Sequence, residues 1–292
     1  MIAFVGIVIV LGSVFGGFLM EHGRLPVLFQ PSEFITIAGA ALGTVLVANP
    51  VHVLKGIASG LSDVVRGEAF GKPRYIESLK MLYELFSRTR KDGMAAIEFD
   101  IEEPERSALF SKYPEFLKDV HGTAFVCDTM RMVVTGGVKA FDLDQMMELD
   151  LEVHHHTLMA PAQALVSMAD ALPGLGIVAA VLGIVVTMGA LGGPPAEIGH
   201  KVAAALVGTF LGILLCYGMV GPLAANMAKL TEERHAYYCA LRTTMLAFVK
   251  GTAPIMAVEI GRRAIPEHVR PSFIELETAC REKEPIPIEA AA

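Results

Sequence analysis

The chain has 292 residues, 53% of them hydrophobic, and a formal net charge of −7 at pH 7. That acidic balance gives no support to nucleic-acid binding, and four cysteines without a CxxC pair argue against a disulfide framework or a thiolate metal site. Four long uncharged runs alternate with stretches that hold nearly all of the 24 basic and 31 acidic residues, which is the layout of a multispanning membrane protein.

The first run is Met1 to Met20, with its first charge at Glu21. No basic segment precedes it and no small-residue cleavage site is evident, so it reads as a span and not as a signal peptide. The second runs from about Phe34 to Leu54, between Glu33 and Lys55. The third is Ala171 to Ala196 and the fourth Val202 to Ala228. A helix crossing lipid needs about 20 apolar residues, and all four runs qualify.

The segment of about 115 residues between spans two and three reads largely as helix. Ile76, Leu79, Leu82, Tyr83 and Phe86 recur at helical spacing from Tyr75 to Arg90, and Gly93 is the expected stop. Glu105 to Phe110, just after Pro104, fits a helical start. Phe116 to Val134 is a second long helix, ended by Gly136-Gly137. A third, Asp142 to about Ala169, is expected to be interrupted or bent near Pro161 and to run on into span three. Lys229 to Lys250 continues span four in the same way. Ala253 to Ile260 is too short for a fifth span and reads as packing, and the last ten residues read as disordered.

Lys and Arg set the orientation. Lys55 to Lys139 holds 13 basic residues and Lys229 to Lys283 holds nine, which puts 22 of 24 on one side. Both termini, the middle segment and the tail are therefore expected in the cytoplasm. The boundaries that follow are spans one and two in 1–54, a cytoplasmic helical domain in 55–170, spans three and four in 171–228, and a cytoplasmic tail in 229–292. The fold class is all-α: four transmembrane helices and a helical cytoplasmic domain.

Small residues fill the spans, including the GxxxG pairs Gly12/Gly16 and Gly208/Gly212, which implies close helix packing. No ionisable side chain lies at the middle of any span. An ion-coupled protein needs one there, so either this chain moves no ion or a partner supplies the group. The polar groups available are Thr187, Thr209 and Tyr217, and a lone Thr is most simply satisfied by a backbone carbonyl one turn earlier. Pro173 opens span three and Pro222 sits late in span four. Each removes a backbone donor and is expected to bend its helix, Pro173 with a bend or a break at a fixed depth.

No enzyme reading survives. His154, His155 and His156 point in different directions on a helix and do not converge on one metal. Gly174-x-Gly176 lies within a span and follows no strand. Arg88, Arg90 and Lys91, followed by Glu98, Asp100, Glu102, Glu103 and Glu105, are either an ordinary solvated face or a docking surface for a charged partner.

Several long motifs occur in order: Gly12-Ser-Val-Phe-Gly-Gly17, Gln30-Pro-Ser-Glu-Phe34, Leu172-Pro-Gly-Leu-Gly-Ile177, Val207-Gly-Thr-Phe-Leu-Gly-Ile213, Gly221-Pro222-Leu223 and Arg270-Pro-Ser-Phe-Ile-Glu-Leu276. Through them nearly the whole chain resembles the MotA family of flagellar motor stator subunits, within the wider group that includes TolQ and ExbB. The resemblance implies an inner-membrane ring of five copies around two copies of MotB, whose helix carries the proton-accepting aspartate. It implies no cofactor, and torque applied to the rotor protein FliG. Arg90 and Glu98 match the residues that engage FliG, with Phe99 standing where the familiar pattern has Arg. Pro173 and Pro222 match the prolines that couple ion flow to movement. Thr209 matches a residue facing the ion path. Ala180 stands where sodium-driven relatives carry Thr, which favours a proton. The alternative, a TolQ or ExbB type of energiser of the outer membrane, usually has three spans and an external N-terminus.

Overall fold

The computed structural model describes residues 2–67, 70–189 and 192–281. The first helix, α1 (Ile2–Met20), carries no charge, and the chain turns at His22, whose φ is 57°. A short α2 (Leu25–Leu28) and then α3 (Pro31–Ala48) each take a proline in the first turn, where its missing N–H costs no helical bond. α3 stops before Asn49-Pro50, because a following proline keeps Asn49 extended. α4 (Val51–Arg66) is a separate amphipathic helix capped by Gly67. The expected second span therefore differs at both ends: the helix begins at Pro31, includes Glu33, and breaks at Pro50 instead of running to Leu54.

α5 (Lys72–Asp92) stops at Gly93, whose φ of 89° only glycine adopts readily. α6 (Glu98–Glu102) follows a single 3₁₀ turn. Residues expected to start a helix at Glu105 instead form two 3₁₀ turns, Pro104–Arg106 and Phe110–Lys112. The expected helix from Phe116 is divided into α7 (Pro114–Lys118) and α8 (Val120–Thr135). The break is at Asp119, whose carboxylate caps α8 by accepting from the Gly122 N–H. α8 ends at Gly136, φ 77°.

α9 (Ala140–Met188) is one continuous helix of 49 residues through both Pro161 and Pro173, so neither proline interrupts it. It ends eight residues short of the expected limit of span three. α10 (Pro195–Leu215) then starts seven residues before the expected span four. A five-residue π turn, Cys216–Val220, leads into α11 (Gly221–Val249). α12 (Pro254–Arg263) and α13 (Phe273–Arg281) close the described chain. The expected disordered tail lies outside the described residues.

Four membrane-spanning helices, within Ile2–Met20, Leu25–Ala48, Ala140–Met188 and Pro195–Val249, make this a multi-pass membrane protein. With them stands a helical domain, and the described residues contain no sheet. Contacts divide the chain into two compact units: Met1–Glu68 with His156–Thr231, and Ala69–His155 with Glu232–Ala292.

The second unit has a conventional core. Leu79, Leu82 and Phe86 of α5 are buried with Phe125, Val126 and Met130 of α8, and the Phe86 and Phe248 rings stack at 4.1 Å. Ala257 and Val258 of α12 are fully buried there, so the short apolar segment does pack as expected. Asp119 ties three elements together: besides capping α8 it accepts from Arg74 and from the Tyr238 hydroxyl, each at 2.9 Å. The buried Glu259 carboxylate takes a two-pronged bond from Arg262 at 2.7 and 2.8 Å and a third from Arg263 at 3.0 Å. These bonds, Arg262's above all, hold its pKa below the usual carboxylate value, against the opposing effect of burial.

A depressed carboxylate pKa contributes stability that is present above the unfolded-state value and lost as pH falls through the folded-state value. Glu259→Gln should therefore destabilise the full-length protein by about 2 kcal/mol at pH 7. The difference should shrink progressively as pH falls through the carboxylate range. Denaturant unfolding of wild type and variant in detergent across that range checks both the size and the direction.

Candidate functional site

In the first unit the controlling feature is how closely α9 and α10 approach. A methyl placed on Gly176 would lie 2.8 Å from the Gly208 carbonyl oxygen, 3.1 Å from Gly212 Cα and 3.3 Å from Thr209 Cα. One placed on Gly212 would lie 2.6 Å from the Leu172 carbonyl oxygen. Both glycines of the span-four GxxxG pair therefore sit on this seam and bring backbone onto backbone. Gly12 and Gly16 of α1 face open space in the single chain.

Three of the residues singled out from sequence belong to the seam. Ala180 is buried, and its backbone N is 3.2 Å from where a Gly208 methyl would sit. Thr209 is half-buried beside Gly176. Pro173 is half-buried, adjacent to the Leu172 carbonyl that packs on Gly212. Thr187 behaves as a lone Thr should, donating to the Gly183 carbonyl at 2.8 Å.

Pro222 is exposed and lies just past the π turn. A proline there cannot bond to the carbonyl four residues back, and its ring would collide with that group. Widening the preceding turn relieves the collision, and the Gly221 N–H bonds to the Cys216 carbonyl five residues earlier. Sequence reasoning anticipated a bend at Pro222 and missed the π turn that accommodates it.

Sequence reasoning also missed Glu33. It was taken as the charge bounding span two, yet it lies in the first turn of α3 with only 8% of its surface exposed. Its Oε2 has no hydrogen-bond partner. A methyl on Gly208 would be 2.6 Å from that oxygen, and one on Gly183 would be 3.4 Å from Oε1. The carboxyl thus lies between α9 and α10, next to Ala180. The signal available was the Gln30-Pro31-Ser32 start, which opens the helix before Glu33.

In the second unit, the charged residues after α5 separate into two kinds. Arg88 is committed: it pairs at 2.6 Å with Asp100, which is buried and also accepts from Ser107 at 2.6 Å. Ser107 in turn accepts from the Leu109 and Phe110 N–H groups, which is why this stretch forms tight turns and not a longer helix. Arg90 at the end of α5 and Glu98 at the start of α6 are both exposed. Neither has an ion pair among the described residues. Phe99 beside them is 57% exposed.

The three consecutive histidines diverge as expected. His154 stacks on His121 with ring centroids 3.4 Å apart, and His155 lies near His235 instead. Among the described residues no three His, Cys, Asp or Glu side chains are grouped to hold a metal.

Comparison with known proteins agrees with this arrangement. Residues 4–93 match the model for the motility protein A N-terminal region, and residues 119–238 match that of the MotA/TolQ/ExbB proton channel family. Motility protein A of Escherichia coli strain K12 is 40% identical over 281 residues, covering 96% of this chain and 95% of the relative. The Salmonella typhimurium protein is 38% identical over the same share of each chain. In fold the chain is similar to the Campylobacter jejuni MotAB structure, with a TM-score of 0.76 at 19% identity, covering 92% of this chain and 98% of that one. It is similar also to the flagellar MotAB stator complex from Bacillus subtilis, at 0.70 and 21%, covering 95% and 98%. By the match to the N-terminal model and the near-complete coverage of the curated relatives, the chain belongs to the motility protein A family.

Proposed function

We propose that this chain is the ring-forming subunit of a flagellar stator in the bacterial inner membrane, which with a MotB-type partner passes protons inward and turns the rotor. The observation that carries the reading is likeness to motility protein A along almost the full length, at 40% identity to the Escherichia coli relative. Two features of the molecule support it. The seam between α9 and α10 holds Ala180 and Thr209, the proposed ion-path residues, and no ionisable side chain occupies the middle of a membrane helix. The proton-accepting aspartate then comes from the partner, two copies of which the ring of five surrounds. An Ala at position 180 offers no hydroxyl to a sodium ion, so the conducted ion is a proton.

Residues 1–54 and 171–228 lie in the membrane, and 55–170 and 229–292 in the cytoplasm with both termini. Pro173 stands at the cytoplasmic end of the span-three region and Pro222 late in span four. There, protonation of the partner's carboxylate alters how the cytoplasmic part is held, and the two prolines couple ion flow to movement. Arg90 and Glu98 make the contact with charged residues of FliG. Both are exposed and uncommitted, while the neighbouring Arg88 is used internally.

Proton flux into liposomes and swimming of a host lacking its own stator test the reading together. The chain alone should give neither. With a MotB-type partner it should give both, and flux by the chain alone would contradict the reading.

Arg90→Glu should leave membrane insertion, partner assembly and proton flux unchanged, because the side chain touches no internal partner. Torque should fall severalfold. Bead rotation with fluorescence counting of bound units measures torque per unit, and loss of assembly would mark Arg90 as structural instead.

A further inference from the structure

Glu33 is the one acidic side chain of the membrane unit that is more than nine-tenths buried among the described residues. Its surroundings supply no compensating charge. Gly183, Ala179 and Ala180 of α9 and Ala205 and Gly208 of α10 cluster around its two oxygens. The nearest charged and titratable groups in sequence on α10 are Glu197, His200 and Lys201. Of these, Glu197 and Lys201 pair with each other at 3.2 Å, and none bonds to Glu33. α9 carries no ionisable residue from Ala171 to Met188. On the approach to α3, Glu21, His22 and Arg24 lie in the connection from α1 and make no bond to Glu33.

Two effects compete for the charge state. The N-terminus of α3 favours an ionised carboxylate, an effect confined to the first turn. Burying an ionised carboxylate without a hydrogen bond is the larger cost, and a bound proton removes it. Gly208 leaves the space that Oε2 occupies, since a methyl there would lie 2.6 Å from that oxygen, and Gly183 lies beside Oε1.

We propose that Glu33 is a proton-binding site of the ion path, a relay upstream of the carboxylate that the partner contributes. The inference rests on the proton-conducting reading above. On that topology α3 begins at the outer face, so water outside the membrane protonates Glu33. The neutral carboxyl then gives its proton to a carboxylate on the partner's helix. Glu33 is left ionised in a seat that disfavours the charge, and it takes up a new proton from the outer water. One O–H bond breaks and one forms at each step, with no net change in Glu33. Ala180, whose backbone N lies against the same Gly208 position, puts the relay beside the proposed path.

The test uses the full chain with its MotB-type partner in lipid. Infrared spectra at pH 7, with carboxyl-labelled glutamate, should contain a neutral-carboxyl band that is lost in Glu33→Gln. Proton flux per assembled complex should fall about tenfold in Glu33→Gln, while Glu33→Asp, which keeps an acid at the site, should retain more of it. An ionised Glu33 in the wild-type spectrum overturns the proposal without need of any variant. So does a conducting wild type whose flux is unchanged in Glu33→Gln. A wild-type complex that passes no protons overturns the conducting reading itself, and the relay with it.

Discussion

Everything proposed for the membrane unit depends on backbone lying against backbone where α9 meets α10. Lipid gives two apolar helices no hydrophobic reason to associate, so van der Waals contact and geometry must do it. Gly176, Gly208 and Gly212 remove the side chains that would hold the helices apart. The consequence is sharp positional control. Ala180, Thr209 and Glu33 are placed by rigid main chain and not by adaptable side-chain packing. The oxygens of Glu33 lie beside two glycines on facing helices, Gly183 and Gly208, and a methyl at Gly208 would collide with Oε2.

The second unit uses different physics. Its core is aromatic and aliphatic, stitched by carboxylates of low exposure that each accept two or more bonds: Asp119 with Arg74 and Tyr238, Asp100 with Arg88 and Ser107, Glu259 with Arg262 and Arg263. Removing one partner of such a set leaves an uncompensated charge. The same commitment sorts the surface. Where charged side chains abound, those already tied inward are poor candidates for a partner, and Arg90 and Glu98 are among those left free beside the α5–α6 turn. Arg90 is in the last turn of α5 and Glu98 in the first turn of α6, so each charge is presented from helical backbone.

Much of the fold was legible in the sequence because the strongest signals are local or periodic. Four uncharged runs gave the spans, the 3.6-residue repeat gave α5, and Gly93 and Gly136 marked stops that positive φ requires. The failures have physical causes. Asp119 splits a continuous apolar pattern because a cap competes with the helix interior, and hydrophobic spacing carries no record of that. Ser107 and Asp100 pull 104–112 into 3₁₀ turns through bonds between side chain and backbone. Glu33 was read as a boundary because charge normally marks one. Its burial comes from Gly183 and Gly208, some 150 residues or more away in sequence. The resemblance to a family named Ala180, Thr209, Pro173, Arg90 and Glu98. Composition and spacing alone offered Thr187, Thr209, Tyr217, the prolines and a cluster of charges.

The most direct test of the close-approach claim compares two identical substitutions in one helix. Gly174 has open space where a methyl would go, while a Gly176 methyl would meet the Gly208 carbonyl at 2.8 Å. Both changes raise helix propensity equally, so only the contact differs. Unfolding of the full-length protein in detergent, titrated with a denaturing detergent, should leave Gly174→Ala as stable as wild type or slightly more so. Gly176→Ala should lose about 1–3 kcal/mol, the usual size of an overpacking penalty. Equal stability of the two variants would contradict the account.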